Sequence, residues 1–204
     1  MGNETINRKK GVNVPEKILG VGRSLMSVKG FSAVGLNEIL KEANVPKGSF
    51  YHYFGSKDAF GVAVLNSYFE DYLAEIDKIL NQKEVTMADC LLMFFVRWQE
   101  RQAFLECKGK CLVVKLGAEV ADLSEPMRLT LQHGTVEIIK RIAKAINNAV
   151  KEGTLEDKGD SYTVAESLFQ IWLGASVMVK LDKNIQPFES AMLTTRQLLG
   201  LSVS

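Results

Sequence analysis

The sequence predicts an all-α protein divided into a small basic head, residues 1–57, and a larger apolar body, residues 58–204. Apolar residues recur at helical spacing along most of the chain, which contains four prolines and no β-rich run. The head carries nine Lys or Arg against four Glu, whereas the body carries sixteen basic against twenty acidic residues. With 204 residues and 47% hydrophobic content, the chain can bury a core in each part.

The first helix is predicted between Asn13 and Gly30. Asn13-x-x-Glu16 has the form of a capping box, and Pro15 occupies the first turn, where its missing N–H costs nothing. Four apolar residues at helical spacing then predict the buried stripe, which consists of Ile18, Val21, Leu25 and Val28.

Two short helices joined by a tight turn are predicted next. The apolar stripe of the first consists of Leu36, Ile39, Leu40 and Ala43. Asn44-Val45-Pro46 interrupts this helix, because Asn adopts a left-handed conformation readily. The second helix begins at about Lys47 and carries Phe50 and Phe54 on one face, so that face is expected to be core.

The other faces of the second short helix are crowded with hydrogen-bonding side chains, namely Lys47, Ser49, Tyr51, His52 and Tyr53. A helix, a turn and a helix of this kind predict a helix-turn-helix motif, whose second helix enters the major groove of DNA. The net charge of about +5 over residues 1–57 agrees with a nucleic acid partner. The alternative is a solvated surface helix, which does not account for the turn, the aromatic cluster and the charge together.

Five stretches of the head form a long and ordered signature: Gly30-Phe31, Leu36-Asn37-Glu38-Ile39-Leu40, Ala43-Asn44-Val45, Lys47-Gly48-Ser49-Phe50-Tyr51-His52-Tyr53-Phe54 and Ser56-Lys57-Asp58-Ala59-Phe60. This signature resembles the amino-terminal region of the TetR family of bacterial repressors. The resemblance implies a TetR-like homodimer, with a three-helix head that binds double-stranded operator DNA. The body would bind an inducer and carry the dimer interface.

The resemblance also assigns residues to the DNA interface. Lys47, Gly48 and Ser49 would meet the major groove, and the other assigned residues are Asn37, Tyr51, His52, Tyr53 and Lys57. Phe50 and Phe54 would be core. A dimer of this kind binds a palindromic operator with its two recognition helices about one DNA turn apart, roughly 34 to 36 Å.

Six further helices are predicted after the head. Ser56 is a candidate N-cap for a long connector helix that runs to residue 80, with a buried stripe of Phe60, Val64, Tyr68 and Tyr72. The other helices are predicted over residues 86–106, 111–122, 124–152, 161–182 and 187–199.

The helix over residues 161–182 is apolar on most faces, so it is expected to be buried on most faces. Its small residues Gly174, Ala175 and Ser176 permit the close approach of another helix. The last helix offers an apolar side made of Phe188, Ala191, Met192 and Leu198. The family resemblance predicts that both helices form a four-helix dimer interface, and the alternative is that both are internal core.

Cys111 is a candidate reactive thiol. Gly109 breaks the preceding helix, so Cys111 is expected near the start of the next, where unpaired N–H groups and the helix dipole stabilise a thiolate. Three nearby lysines act in the same direction, and together they predict a depressed pKa: Lys108, Lys110 and Lys115. The alternative is a buried structural cysteine, which is the expectation for Cys90. Cys107 is a candidate resolving thiol for Cys111.

A second resemblance covers much of the body. The stretch from Cys111 to Arg128, and Trp172-Leu173-Gly174-Ala175 followed by Lys180, are similar to the N-ethylmaleimide-responsive group within the TetR family. In that group the matching cysteine senses electrophiles and reactive chlorine in concert with the matching lysine. The resemblance therefore implies that Cys111 is the sensor and Lys180 its partner. Cys107 leaves the choice between a Cys–Lys and a Cys–Cys product open.

Two other functions remain open from the sequence. One is a TetR-type repressor whose noncovalent apolar inducer binds among Met93, Phe94, Trp98, Phe104 and Trp172. The other is a thiol enzyme that uses Cys111 as its nucleophile, but no Cys-His-Asp pattern supplies a base. The two histidines, His52 and His133, also lack a ligand-like spacing to the cysteines. We therefore expect no enzymatic activity, no cofactor and no metal.

The sequence also predicts where the protein works. No apolar run reaches the roughly 18 residues of a membrane span, and the polar amino terminus lacks the apolar core of a signal peptide. Three cysteines do not make a disulfide framework, which favours a reducing compartment. We expect a cytoplasmic bacterial protein, associated with the nucleoid through DNA and with no membrane partner.

Overall fold

The computed structural model describes residues 13–103 and 111–202, and these residues form nine α-helices and no strand. Three helices make up the head: α1 (Val14–Lys29), α2 (Leu36–Ala43) and α3 (Lys47–Phe54). Six follow in the remainder of the described chain: α4 (Lys57–Leu80), α5 (Met87–Ala103), α6 (Leu112–Leu123), α7 (Glu125–Lys151), α8 (Ser161–Asp182) and α9 (Gln186–Leu199). The predicted all-α fold with a three-helix head is confirmed.

The helix-turn-helix of the head is formed by α2 and α3 as predicted. Asn44 ends α2 in the left-handed conformation, with φ 48° and ψ 54°, and its N–H bonds to the carbonyl groups of Leu40 and Lys41. Pro46 then sets an extended residue before Lys47, where α3 begins. The fully buried side chains of Ile18, Ile39 and Phe50 bring the three head helices onto one core.

Two details of the predicted first helix are wrong. The side chain of Asn13 makes no capping hydrogen bond, so the predicted capping box is absent and Pro15 alone marks the first turn. Val28 is 53% exposed, because the buried side of α1 runs instead through Ile18, Gly22 and Met26. That stripe has the spacing of four residues, so it leaves Val28 on the solvent side of the last turn.

Gly22 allows α1 to pack closely on α4. A Cβ atom at Gly22 would lie 2.3 Å from Cζ of Phe60, whose side chain is fully buried and has no free space to move into. Gly20 lies two residues earlier on another face of the same helix. A Cβ atom at Gly20 would have no atom within 4 Å. The two glycines therefore form a matched pair on one helix.

We expect Gly22→Ala to lower the free energy of unfolding by about 1 to 3 kcal/mol, because the added methyl group overpacks the α1–α4 contact. Gly20→Ala is expected to raise it by about 0.5 to 1 kcal/mol, since alanine fits an open helical position better than glycine. Urea unfolding followed by circular dichroism measures both. Changes of the same sign in the two variants would contradict this packing.

The connector helix α4 and the helices around it form the core of the body. The predicted stripe of α4 is confirmed, since Phe60, Val64, Tyr68 and Tyr72 are all buried. A second cluster surrounds Trp172 of α8, whose ring stacks on Phe95 and Phe188 at centroid distances of 5.0 and 5.6 Å. These contacts fasten α5, α8 and α9 together.

Within the described residues, α8 is long and apolar enough to cross a membrane by length and composition alone, with a mean hydropathy of 1.3. This differs from the expectation that no run of the chain reaches such a length. In the structure 39% of that stretch is buried, and α8 packs against α7 and α9. Core helices of soluble proteins pass the same test, so the hydropathy of α8 is weak evidence for a membrane span.

Candidate DNA-binding face and cysteine site

Most side chains assigned to DNA lie together on the outer side of α3. Lys47, Gly48, Tyr51, His52 and Tyr53 are exposed, and Ser49 is half-buried beside them. The helix turns this polar side outward because Phe50 is fully buried, with ring centroids 5.3 Å from Phe54 and 5.0 Å from Phe60. The prediction that Phe50 and Phe54 belong to the core is confirmed.

Two further members of the predicted DNA-binding set lie at the edges of α3. Asn37 is exposed in the first turn of α2. Lys57, at the start of α4, is half-buried: its Nζ lies 4.7 Å from the Phe31 ring centroid and 3.5 Å from the carbonyl oxygen of Ser32. Lys57 therefore also ties α4 to the turn between α1 and α2.

Lys47 and Tyr51 are neighbours on the exposed face of α3. The Nζ atom of Lys47 lies 5.9 Å from the ring centroid of Tyr51, within the range of a cation–π contact. The ammonium group of Lys47 and the phenol of Tyr51 therefore lie side by side on the exposed face of α3. The positive end of the helix dipole lies at the same end of the helix as Lys47.

Cys111 is the N-cap residue of α6, as the sequence predicted from Gly109. Its carbonyl oxygen accepts the N–H of Lys115 at 3.1 Å, and its side chain makes no capping bond, so the thiol is left for other contacts. The thiol is half-buried, and its Sγ lies 3.7 Å from the Oη atom of Tyr68, within hydrogen-bonding distance for sulfur. This contact joins the start of α6 to the middle of the connector α4.

A small cleft of about 10 Å³ opens beside Cys111, and its other lining residues are Tyr68, Tyr72, Trp98, Arg101 and Gln102. The guanidinium of Arg101 lies 4.9 Å from the Tyr72 ring centroid and 2.8 Å from the carboxylate of Glu75. Burial, reinforced by the nearby Cys111 sulfur, raises the pKa of both Tyr68 and Tyr72, so both phenols keep their protons at neutral pH. The Tyr68 hydroxyl is therefore a donor toward Cys111.

Neither of the other two residues of the predicted sensor has a described contact with Cys111. Lys180 is exposed near the end of α8, and among the described residues it makes no hydrogen bond or ion pair with Cys111. Cys107, together with Lys108, Gly109 and Lys110, lies outside the residues that the structure describes. Cys90 is fully buried, and burial raises the pKa of its thiol, which confirms the expectation that it is a core residue.

Glu119 forms a contact that the sequence did not reveal. Its carboxylate accepts the N–H of Phe31 at 3.0 Å and the N–H of Ser32 at 2.7 Å, which links α6 to the turn between α1 and α2. Gly30 makes room for it, since it has φ 89° and a Cβ there would lie 2.6 Å from Oε2 of Glu119. The two partners are 87 and 88 residues away in the chain, so no local pattern could have predicted the contact.

The contact with the two N–H groups favours the ionised form of Glu119. Burial raises the pKa of the carboxyl, but the N–H groups of Ser32 and Phe31 and the charge of Lys115 outweigh burial and hold the pKa below the ordinary 4.5. A lowered pKa means that the contact contributes its full stability above pH 4.5 and loses it as the pH falls through the lowered value. Glu119 is therefore ionised throughout the neutral range.

The described members of the proposed apolar inducer pocket lie partly in the core and partly at the surface. Phe94, Trp98 and Trp172 are buried, and the Trp98 ring contacts the rings of the other two. Phe104 lies outside the described residues. Met93 instead lines an open groove of about 630 Å³ between α4 and α5. Met93 therefore lies on a different side of α5 from Phe94 and Trp98, and the structure does not group it with them.

Metal binding finds no support in the part of the chain that the structure describes, where no three His, Cys, Asp or Glu side chains come together. The candidate sites among residues 13–103 and 111–202 are the exposed face of α3, the thiol at the start of α6 and the groove between α4 and α5.

Comparison with known proteins agrees with this arrangement. Residues 18–64 match the model of the tetR family of bacterial regulatory proteins, and residues 88–195 match the tetracyclin repressor-like C-terminal domain. The chain is 34% identical over 195 residues to the HTH-type transcriptional repressor NemR of Escherichia coli K12, which covers 96% of this chain and 98% of that one. It is 31% identical over 175 residues to the transcriptional regulator AcuR of Cereibacter sphaeroides, covering 86% and 80% of the two chains.

Among solved structures, the reduced form of E. coli NemR matches with a TM-score of 0.88 and covers 94% of this chain and 99% of that one. These relatives are transcriptional regulators and not enzymes, which removes the thiol-enzyme alternative. Family models over both parts of the chain and full-length similarity to a repressor show that this protein belongs to the TetR family of transcriptional regulators.

Proposed function

We propose that the protein is a cytoplasmic, dimeric repressor that leaves a palindromic operator when Cys111 is modified by an electrophile or by reactive chlorine. The observation that carries the proposal is the contact of the Cys111 thiol with Tyr68 of the connector helix. A group added to this half-buried sulfur cannot leave that contact unchanged. The modification would therefore displace atoms at the start of α6, which Cys111 caps, and in α4, which leads to the head.

The head, residues 1–57, is proposed as the DNA-binding domain and residues 58–204 as the regulatory and dimerisation domain. The proposed DNA contacts are Asn37, Lys47, Gly48, Ser49, Tyr51, His52, Tyr53 and Lys57. The exposure of most of these residues on one side of α3, and the positive charge of the head, support the assignment. Phosphate contacts are expected from Lys47 and Lys57, and base contacts from the other exposed side chains of α3.

Dimerisation is proposed through α8 and α9. Support comes from large apolar side chains that the single chain leaves exposed there: Tyr162, Val177, Met178, Leu181 and Leu193. A second copy of this chain would cover them through a two-fold, self-complementary interface. The dimer would present its two α3 helices to successive turns of the DNA, about 34 to 36 Å apart.

The proposed chemistry starts from the Cys111 thiolate. With N-ethylmaleimide, the sulfur adds to the double bond, a C–S bond forms, and the neighbouring carbon takes a proton from water. With hypochlorous acid, the sulfur attacks chlorine, an S–Cl bond forms and hydroxide leaves. The amine of Lys180 or the thiol of Cys107 would then displace chloride and lose a proton, which gives a Cys–Lys or a Cys–Cys product.

A noncovalent inducer is the second candidate, because the open groove between α4 and α5 is large enough for a small ligand. Apolar and charged side chains both line this groove, namely Glu75, Lys78, Ile79, Gln82, Asp89, Leu92, Met93, Val96, Arg97 and Glu100. Binding there would separate the connector from α5 without involving Cys111. The two candidates therefore differ in whether release needs the thiol.

A gel shift of the reduced protein on its own upstream DNA, before and after one equivalent of N-ethylmaleimide or hypochlorite, tests the proposal. We expect the wild type to release the DNA and Cys111→Ser to keep it. Cys90→Ser is the matched control, because it removes a buried thiol, and it should respond as the wild type does. Mass spectrometry of the released protein then assigns Lys180 or Cys107 as the partner.

Two results would contradict the proposed sensor. One is release of the DNA by Cys111→Ser at the wild-type dose, which would assign the response to another residue that the reagent modifies. The other is retention of the DNA by the modified wild type, which would make the thiol structural and move the search to a noncovalent inducer. Titration of both proteins with the reagent, rather than a single dose, separates a lost response from a weakened one.

A further inference from the structure

Helix α6 contacts both the connector helix α4 and the head. Cys111 caps its first turn and contacts the connector α4, and Glu119, eight residues later, contacts the head. At a rise of about 1.5 Å per residue, the two contacts lie about 12 Å apart along one rigid helix. A displacement at the cysteine end is therefore transmitted along the helix to Glu119.

The head receives this contact at a turn that is held from two sides. Glu119 accepts the N–H groups of Phe31 and Ser32, and Lys57 donates to the carbonyl oxygen of the same Ser32. A shift of the turn would therefore move the start of α2, which begins only four residues after Ser32. It would also move Lys57, which is a proposed DNA contact.

This contact tolerates little movement. The Ser32 N to Oε1 distance is 2.7 Å, and a shift of about 1 Å, typical of helix movements in switching proteins, takes it outside hydrogen-bonding range. At Gly30, only the absent Cβ lets the carboxylate approach the turn. The contact is therefore either made or broken, as a switch requires.

We propose that Glu119 is a positioning residue that couples Cys111 directly to the DNA-binding head through α6, in parallel with the connector α4. In the reduced protein its carboxylate clamps the turn at Phe31 and Ser32 and holds the head in its operator-binding orientation. Modification of Cys111 shifts α6 and opens the clamp. The trigger in this proposal rests on the proposed function, whereas the clamp is formed by described residues alone.

The first test compares Glu119→Gln with Asp122→Asn in operator binding by the reduced protein. The amide keeps the size of the carboxylate but loses its charge, and its NH₂ group cannot accept the second N–H. We expect Glu119→Gln to bind operator about tenfold more weakly. Asp122 is an exposed carboxylate on the same helix, so Asp122→Asn should stay within about twofold of the wild type. Equal affinity of Glu119→Gln and the wild type would overturn the proposal.

The second test uses the wild-type chain, so it does not depend on whether a variant folds. Residue-resolved hydrogen exchange is measured on the reduced protein and after N-ethylmaleimide treatment. The amides of Phe31 and Ser32 should exchange at least about tenfold faster after treatment. The amide of Val45, which donates to the carbonyl of Leu40 within the head, is the control and should not change. A merely structural contact would keep Phe31 and Ser32 protected.

The two measurements separate failure of the clamp from failure of the proposed function. If the treated wild type releases DNA while Phe31 and Ser32 stay protected, the sensor stands and the coupling through Glu119 is overturned. If both amides are released while the operator stays bound, the coupling of Cys111 to the turn stands, but the role of Glu119 in operator binding and the proposed induction are both overturned. Unchanged exchange overturns the coupling whatever the gel shift gives.

Discussion

Replacing Trp172 with alanine is expected to lower the free energy of unfolding by about 3 to 5 kcal/mol, the largest loss of stability from any variant considered for this chain. The indole is fully buried, and it stacks on Phe95 of α5 and Phe188 of α9. Its Nε1 donates to Oγ1 of Thr195 at 2.8 Å. Alanine would therefore leave a cavity between three helices and remove the donor to Thr195, whose hydroxyl would keep only its own bond to the carbonyl oxygen of Ala191.

Chemical unfolding at one fixed protomer concentration measures this loss, because the stability of a dimer depends on concentration. Trp172→Phe keeps an aromatic ring but not the donor, and it is expected to cost clearly less than the alanine variant. Val28→Ala, at a 53% exposed position, should change stability by no more than about 0.5 kcal/mol. A Trp172→Ala protein as stable as the Val28→Ala protein would show that the core is not organised around this indole.

The fold was predictable because local patterns determine most of it. In α2, Asn44 combines the end of an apolar stripe with a residue that adopts the left-handed conformation, and the structure has that conformation there. Ser56 was predicted to cap α4, and its side chain accepts the N–H of Ala59 at 3.0 Å. Capping and periodicity act over a few residues, so one sequence suffices to read them.

Packing between distant elements was not predictable in the same way. Val28 fits the apolar period of α1 but is exposed. The buried side of α1 includes Gly22 and Met26 instead, because Gly22 is the position that packs closely on α4. The predicted capping box at Asn13 was wrong for a related reason. The motif permits a hydrogen bond between the Asn13 side chain and the first turn of the helix, but the structure does not form it. A periodic pattern indicates which side chains of a helix can be buried. Which of them are buried depends on the neighbouring helix that packs against it.

The candidate sites divide along the same line. The exposed side of α3 and the position of Cys111 at the start of α6 follow from local sequence, and both were predicted correctly. The contacts of Cys111 with Tyr68 and of Glu119 with Phe31 span 43 and 88 residues, and only the folded chain brings them together. The sequence therefore indicates the two candidate sites, but not the contacts that lie between them.

Removal of the two neighbouring side chains on α3, in Lys47→Ala/Tyr51→Ala, is expected to weaken operator binding at least 100-fold. Each lost base or phosphate contact costs on the order of 1 to 3 kcal/mol, and a dimer loses every contact twice. A 100-fold loss corresponds to about 2.7 kcal/mol, so the expectation is a lower bound. Fluorescence anisotropy with operator DNA at several salt concentrations measures the affinity and its salt dependence together.

The single variants separate the two roles. Lys47→Ala should weaken binding to operator and to unrelated DNA alike and reduce the salt slope by about 1 per half-site, because a phosphate contact releases counterions. Tyr51→Ala should reduce the preference for operator with little change in slope. The lysine ammonium lies 5.9 Å from the tyrosine ring, so the two losses are expected not to add. Lys151→Ala removes the same charge from an exposed position at the end of α7 and serves as control. If it weakens operator binding as much as Lys47→Ala does, general charge and not the α3 surface would account for DNA affinity.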